Sequence, residues 1–432
     1  MKKRNPFWRC TALFMCACVF VACAPKDTNG SKKTVEVSWW HINSSIRSHQ
    51  TFQDIAADYH LLYPGVTISV TALENMEYKP KLELEFAADD PPDIFHSWGG
   101  GGLAEYVRKG YLRDITDWVL SDKWESKINP AALELFSYKG RVYGFPHDLG
   151  AVGFWYNSAL LEGAGYREFP SDWDSLLSLM EALKKKGVTP VSLGIADRWP
   201  VMYYWVYLSM RIGGDDIFKD ILARKRAFTD PAIITAGKLL QDFNRRGFFQ
   251  STAIGDDFHG QSRYMGDGLC AIQLMGQWAL ASQAQTSERT NELHPVMRFA
   301  PFPSVQGGKG SSKAAMGGAN GFVIGKNAPD AAVSLLEFFT KASNLQRYFD
   351  SFPGIPTTPG VIVREKGLSM IHDYLNEIDS FCLYPDQLFP LSVGTALNET
   401  SARILLGELT PEEGAALLDD EWNSWYTRNG SN

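Results

Sequence analysis

The stretch from Val35 to Phe95 alternates strand and helix patterns, and that order constrains the fold more than any other feature of the chain. Val35, Val37 and Trp39 alternate with Glu36 and Ser38, which predicts a strand. Gln50 to Tyr63 reads as a helix stopped by Pro64-Gly65, and Val66, Ile68 and Val70 predict a second strand. A helix over Tyr78 to Ala88 then leads to a third strand at Ile94-Phe95. Strands joined through helices lie parallel, with the helices packed on the sheet. Ligands of such open sheets bind beyond the carboxyl ends of the strands.

At 432 residues the chain is too long for one compact core, so two domains are expected. Arg141 to Asn157, RVYGFPHDLGAVGFWYN, reads as a crossing point between them. Val142, Tyr143, Phe145 and then Val152, Phe154, Trp155 and Tyr156 suit strands, while Pro146 and Gly150 interrupt the ladder where His147 and Asp148 sit. A hairpin with one surface acid explains this stretch taken alone. A polar pair at a junction of lobes would face a cleft, where small molecules bind.

Lys2, Lys3, Arg4 and Arg9 precede an apolar run from Thr11 to Ala22, and Cys23 follows. The run has the length of a signal h-region and falls short of the roughly 18 residues that cross a bilayer. Residues 1–22 are therefore expected to be a secretory signal outside the fold. Phe20-Val21-Ala22-Cys23 resembles a lipoprotein box, with Phe20 where Leu is usual, so lipid attachment is expected at Cys23 and plain signal cleavage is the alternative. Residues 23–33, small and polar, read as a lipid-anchored tether. Of six cysteines, Cys10, Cys16 and Cys18 fall in the leader, leaving Cys270 and Cys382 either paired or buried as free thiols. Without Cys-x-x-Cys and with scattered histidines, no metal site is expected. Removing the four basic residues of the leader, which holds no acid, takes the formal charge from −7 to −11. Nucleic acid is not an expected partner.

Further motifs follow in order. Trp98 ends the third strand, and Gly99 to Gly102 follow it. They do not form G-x-G-x-x-G, because Ala104 and Glu105 stand where the last Gly belongs, so no nucleotide cofactor is expected. Ser171 to Gly187 predicts a helix, with Ser171 and Asp174 resembling a capping box. Asp197-Arg198-Trp199-Pro200 precedes a helix whose Tyr203, Tyr204, Trp205 and Tyr207 are mostly core, since they cover more than one face. Asp230-Pro231 opens a helix closed by Gly247, and a strand over Gly266 to Gln273 leads to Met275-Gly276-Gln277-Trp278. Gly317-Gly318-Ala319-Asn320-Gly321 reads as a glycine-rich loop that lets backbone approach a ligand, or as a plain connection. Pro353 to Pro356 looks like a third crossing, and Thr410-Pro411-Glu412-Glu413 is a capping box.

Taken in order, PPDIFHSWGGG, GFPHDLGAVGFWYN, DRWPVMYYWVYLSMRIGG, AFTDP with GKLLQDFNRRGFF, the MGQW turn, GGANGFVIGKNAPDAA and YPDQLFP with a closing GELTPEE resemble the extracellular solute-binding proteins of family 1. These are the sugar-binding components of ABC importers related to maltose-binding protein, and the likeness runs from about Val35 to Trp422. It implies an α/β, two-lobed periplasmic-binding-protein fold, type 2-like. Each lobe would be a mostly parallel sheet flanked by helices, with three crossings and a ligand cleft between lobes. The expected division is lobe 1 at 34–147 plus 297–350 and lobe 2 at 148–296 plus 351–432. The implied function is capture of an oligosaccharide or related sugar for delivery to ABC permease subunits, by an exported, lipid-anchored, non-enzymatic monomer without cofactor, periplasmic or on the outer face of the cell membrane.

Sugars are recognised by flat apolar rings against pyranose C–H faces and by amides and carboxylates against hydroxyls. The expected stacking residues are Trp98, Trp199, Trp278 and Tyr384, and the expected hydrogen-bonding residues are His41, Asp148, Asn320, Asp386 and Gln387. The resemblance supports Trp278, Tyr384 and Asp386 most directly. Two rival functions stand beside this one. Asp148 and Asp386 could be the acid and base of an exported glycoside hydrolase if about 5 to 9 Å apart, and a surface adhesion lipoprotein is compatible with the anchor. No G-x-S-x-G, H-E-x-x-H or P-loop pattern occurs.

Overall fold

The structure, a computed structural model, describes residues 34–121, 128–289 and 296–430. The expected signal at 1–22, Cys23 and the tether to residue 33 lie outside the described residues. The strands among the described residues are β1 (Val35–His41), β2 (Val66–Ala72), β3 (Ile94–Ser97), β4 (Ser137–Tyr138), β5 (Arg141–Val142), β6 (Gly144–Ala151), β7 (Gly153–Asn157), β8 (Thr189–Val191), β9 (Cys270–Met275), β10 (Met297–Ala300), β11 (Ala314–Ile324) and β12 (Ser380–Leu383).

Period-2 patterning decides the first sheet. Val37, Trp39 and His41 are buried on one face of β1, and β2 and β3 flank it in parallel register, joined through the helices Ile46–Leu62 and Asn75–Ala87. The larger sheet runs β12-β11-β3-β1-β2, with β6 also on β11, and the smaller runs β10-β7-β9-β8. Pairing is mixed in both: β11 is antiparallel to β3 and β6 and parallel to β12, and β7 is antiparallel to β9 and β10.

Each lobe buries its own core. Trp39, Phe52, Phe322 and Phe339 interlock edge to face or stacked in the first. In the second, the helix Trp199–Gly213 is buried on nearly every side, as its aromatic spacing predicts. The fully buried Arg211 within it donates to the carbonyls of Phe302 and Ala314, fixing the chain between β10 and β11.

Two strands pass from one core to the other. On β6, Phe145 packs with the first core and Ala151 with the second; on β11, Phe322 and Ile324 pack with the first and Ala314 to Met316 with the second. The segment around Ile355 makes the third crossing, since Leu149 N donates to Ile355 O (2.9 Å) and Thr357 N to His147 O (3.1 Å). The three crossings therefore lie side by side.

The structure corrects the sequence reading at several points. Gly317 to Gly321 is no loop but the middle of β11, where glycine is needed because a Cβ on Gly317 would lie 2.1 Å from Gly150 O. Pro146 and Gly150 do not break β6. Its register against β11 shifts at Asn320/Gly321, with Pro146 opposite Gly321 and Asp148 opposite Asn320, so His147 is the extra residue of a bulge. The segment from 297 to about 316, expected in lobe 1, stays with the second core, because β10 pairs with β7 and Phe302 packs beside Phe154 and Tyr207. The helix expected from Ser171 spans Trp173–Lys185 and is capped by Asp172, which accepts from Ser175 N at 2.9 Å, and not by Ser171. Gly266 ends the helix Phe258–Gly266, so the strand there begins only at Cys270. Cys270 and Cys382 are buried free thiols.

Candidate functional site

Between the lobes lies a cavity of about 1470 Å³, larger than the roughly 300 to 1,000 Å³ of common small-molecule pockets. One wall comes from lobe 1: Asn43 to Ser45 just beyond β1, Lys79 on the helix Asn75–Ala87, and Trp98 just beyond β3. The other comes from lobe 2: Trp199 at the start of its helix, Trp278 after β9, and Tyr384 to Gln387 after β12. Asn320 on β11 lies at the crossings. Strand ends thus supply both walls, as expected for open α/β sheets.

The lobe 2 wall carries a row of rings. Trp199 lies 6.4 Å from Trp278, Trp278 6.2 Å from Tyr384, and Tyr384 5.8 Å from Tyr203, with Phe258 5.3 Å from Trp199. Two of its polar atoms, Trp199 Nε1 and Tyr384 Oη, are buried without a partner among the described residues. Both residues line the cavity, with these two atoms themselves enclosed by protein. Beside them, Asp386 Oδ2 accepts from Gln387 Nε2 (2.9 Å) and Asn398 Nδ2 (3.1 Å), and Asn398 Oδ1 is unpartnered.

Glycines bring this corner to the lobe 1 wall. Gly100 to Arg108 is helical, and a Cβ on Gly101 would lie 2.4 Å from Leu388 O and 2.7 Å from Phe389 O. The glycine run after Trp98 therefore serves close packing of the Tyr384–Phe389 segment, not a phosphate.

On the lobe 1 wall, the Lys79 ammonium stands 4.8 Å over the Trp98 ring, which meets Tyr78 and His96 edge to face. Enclosure lowers the Lys79 pKa, and the charges of Asp386 and Glu83 pull it back upward. At the rim, His259 Nε2 comes within 3.1 Å of Glu74 Oε2, so the lobes touch across the mouth of the cavity.

Seven of the nine residues expected at the ligand line this cavity together: Trp98, Trp199, Trp278, Asn320, Tyr384, Asp386 and Gln387. The other two do not. His41 continues the inward face of Val37 and Trp39, stacks on Phe52 at 4.0 Å, and meets His49 at 3.1 Å; burial, with His49 alongside, lowers its pKa to about 3. The end of β1 reaches the cavity through Asn43 instead. Asp148 is buried behind Asn320, accepting from Gln277 Nε2 (2.7 Å), Asn320 Nδ2 (3.0 Å) and Ile355 N (2.8 Å). Burial raises its pKa to about 6, against the pull of those donors. Lys79, Asn398 and the Glu74–His259 pair were not foreseen. A lysine beside a tyrosine on an exposed helix carries no local signal, and the rim pair joins residues 185 apart.

A family model described as bacterial extracellular solute-binding protein matches residues 43–346. A probable sugar-binding periplasmic protein of Rhizobium meliloti is 28% identical over 218 residues, 48% of this chain and 49% of that protein. Another, from Brucella suis, is 25% identical over 309 residues, covering 68% and 69%. The alignment thus spans about half the first relative's length. Among solved structures, a chitin oligosaccharide binding protein matches with a TM-score of 0.82 at 23% identity, covering 91% of this chain and 99% of that one. A solute-binding protein in complex with raffinose matches at 0.74 and 18%, with 91% and 99% covered. These likenesses show the two-lobed solute-binding fold.

Proposed function

The chain belongs to the bacterial extracellular solute-binding protein family, and from that premise we propose that it captures a neutral oligosaccharide or related sugar between its lobes and delivers it to the permease of an ABC importer. The observation that carries this reading is the row of rings from Trp199 through Trp278 to Tyr384 along the lobe 2 wall of the cavity. Such rings offer apolar surface to pyranose C–H faces, and a size of about 1470 Å³ gives room for several units. Around the cavity the carboxylates of Glu74, Glu83, Glu105, Asp197, Asp386, Glu399 and Glu421 outnumber the cations of Lys79, Lys109 and Arg198. Such a field disfavours anionic glycans and phosphodiesters. Relatives named as sugar-binding and a neighbour solved with raffinose support the same class.

The ligand-contacting residues in this reading are Trp98, Trp199, Trp278, Asn320, Tyr384, Asp386 and Gln387. Lobe 1 takes residues from 34 to the first crossing and from β11 to about 350, and lobe 2 takes the rest, with the stretch from β10 to β11 moved to it. The protein is exported as a monomer and held at the membrane by lipid on Cys23; among the described residues no helix is long and apolar enough to cross a bilayer. This reading assigns it no catalytic role, and Asp148, one half of the acid–base pair considered for a hydrolase, is occupied by three donors and lines no part of the cavity.

Titration of the mature domain with neutral oligosaccharides, read by Trp fluorescence and calorimetry with product analysis, tests the reading. Saturable binding without turnover supports it. Turnover would move the protein to the hydrolases, and silence across neutral sugars would overturn the transport role.

A further inference from the structure

Asp148 is the expected ligand residue that the structure withdraws from the cavity, and its position gives it another task. It stands on the first crossing, directly opposite Asn320 on the second, and its Oδ1 accepts from Ile355 N on the third at 2.8 Å. Its Oδ2 accepts from Asn320 Nδ2 (3.0 Å) and from Gln277 Nε2 (2.7 Å), which belongs to the turn before Trp278. The fit is closed on both sides: a Cβ on Gly354 would lie 2.8 Å from Asp148 Oδ1, and one on Gly150 would lie 1.8 Å from Gln277 Oε1. An ionised carboxylate only accepts, so it dictates which end of each neighbouring amide faces it. Asn320 must turn its NH₂ toward Asp148, and its Oδ1 has no hydrogen-bond partner among the described residues while the residue lines the cavity.

We propose that Asp148 is a positioning residue which ties the three crossings together and holds Asn320 with its carbonyl oxygen toward the ligand, so that this point of the cleft reads a ligand hydroxyl as a donor. The inference rests on the cleft being the glycan site.

The replacement Asp148→Asn keeps the shape and exchanges one acceptor for a donor. Ile355 N, fixed in the backbone, keeps the remaining oxygen, so the new NH₂ faces Asn320 and Gln277, and both amides turn over. Asn320 then offers N–H where it had offered oxygen. Affinity for the tightest neutral oligosaccharide is expected to fall roughly tenfold, the size of one hydrogen bond made or lost. The same replacement in an Asn320→Ala background is expected to add no further loss, because the effect runs through Asn320. Equal losses in both backgrounds would overturn the proposal. Binding without ligand identity is covered by nitrogen-15 NMR of the wild-type domain: the Asn320 side-chain amide is expected to exchange slowly with solvent, and to move and exchange faster in D148N. A freely exchanging Asn320 amide in the wild type would overturn the proposal even if D148N does not fold. If no sugar binds the wild type while its Asn320 amide is protected, the glycan reading falls and the positioning role stands.

Discussion

Replacing His147 by Phe is expected to flatten the acid side of the stability profile. The His147 ring is buried, stacked on Phe322 at 5.2 Å and 21°, and neither ring nitrogen has a partner among the described residues. Burial lowers its pKa from 6.5 to about 3. The folded chain therefore keeps the ring neutral while the unfolded chain protonates it below about 6.5. This contribution to stability is present above that pH and is lost as pH falls toward about 3. At about 1.4 kcal/mol per unit, about 2 kcal/mol is lost by pH 5. His41, lowered to about 3 as well, adds a similar slope. Asp148 opposes it. With its pKa raised to about 6 the folded state favours the protonated acid, so it returns about 1.3 kcal/mol between pH 7 and 5. The wild-type domain should thus lose about 2.5 kcal/mol from these three groups between pH 7 and 5. His147→Phe keeps the stacking ring, removes two unpartnered nitrogens and is expected to gain on the order of 1 kcal/mol at pH 7. Urea unfolding at pH 7, 6 and 5 should show the variant losing about 2 kcal/mol less than the wild type. Parallel profiles for the two proteins would refute the argument.

Trp278→Ala, removing the middle ring of the lobe 2 row, is expected to weaken glycan binding by about 2 kcal/mol, some thirtyfold, by calorimetry; unchanged affinity would take Trp278 out of the site. Gly101→Ala drives a Cβ to 2.4 Å from Leu388 O, so thermal unfolding should show a loss of about 1 to 3 kcal/mol, and displacement of the Tyr384–Phe389 segment should lower affinity as well.

Where side-chain period carries the information, the sequence was legible. Val37 and Trp39 alternating into the core placed β1 correctly, and the same parity puts His41 inside with them, which excludes it from the cleft. The capping box at Thr410 is present as read, with reciprocal bonds to Glu413. The cap at Asp172 was missed because two adjacent residues could each fill that position. What could not be read locally is what distant chain brings together. Asp148 looks like a cleft acid until Asn320 is found opposite it and Gln277 and Ile355 N are found on its other side. The glycines of β11 look like a loop until the backbone of β6 is seen against them.

The separation of the two cores determines how ligand can act. Because β6, β11 and the segment around Ile355 run side by side between cores that each pack on their own, bending at the crossings leaves both cores intact. Away from the crossings the lobes also meet where Leu391 N donates to Glu105 Oε2 (3.0 Å) and Arg108 stands over the Trp425 ring, while the exposed rim pair of Glu74 with His259 contributes only about 0 to 1 kcal/mol. Shifting an opening equilibrium from 1:99 to 99:1 needs about 5.5 kcal/mol of preference for the closed form, more than one stacking contact provides. Such a preference requires a ligand that touches Trp98 and Lys79 on one wall and Trp199, Trp278 and Tyr384 on the other. A monosaccharide that covers a single ring of the lobe 2 row should bind without closing the lobes, while a longer oligosaccharide should reduce the radius of gyration in small-angle scattering. Equal compaction by both would show that one wall is enough, and that the argument from two walls is wrong.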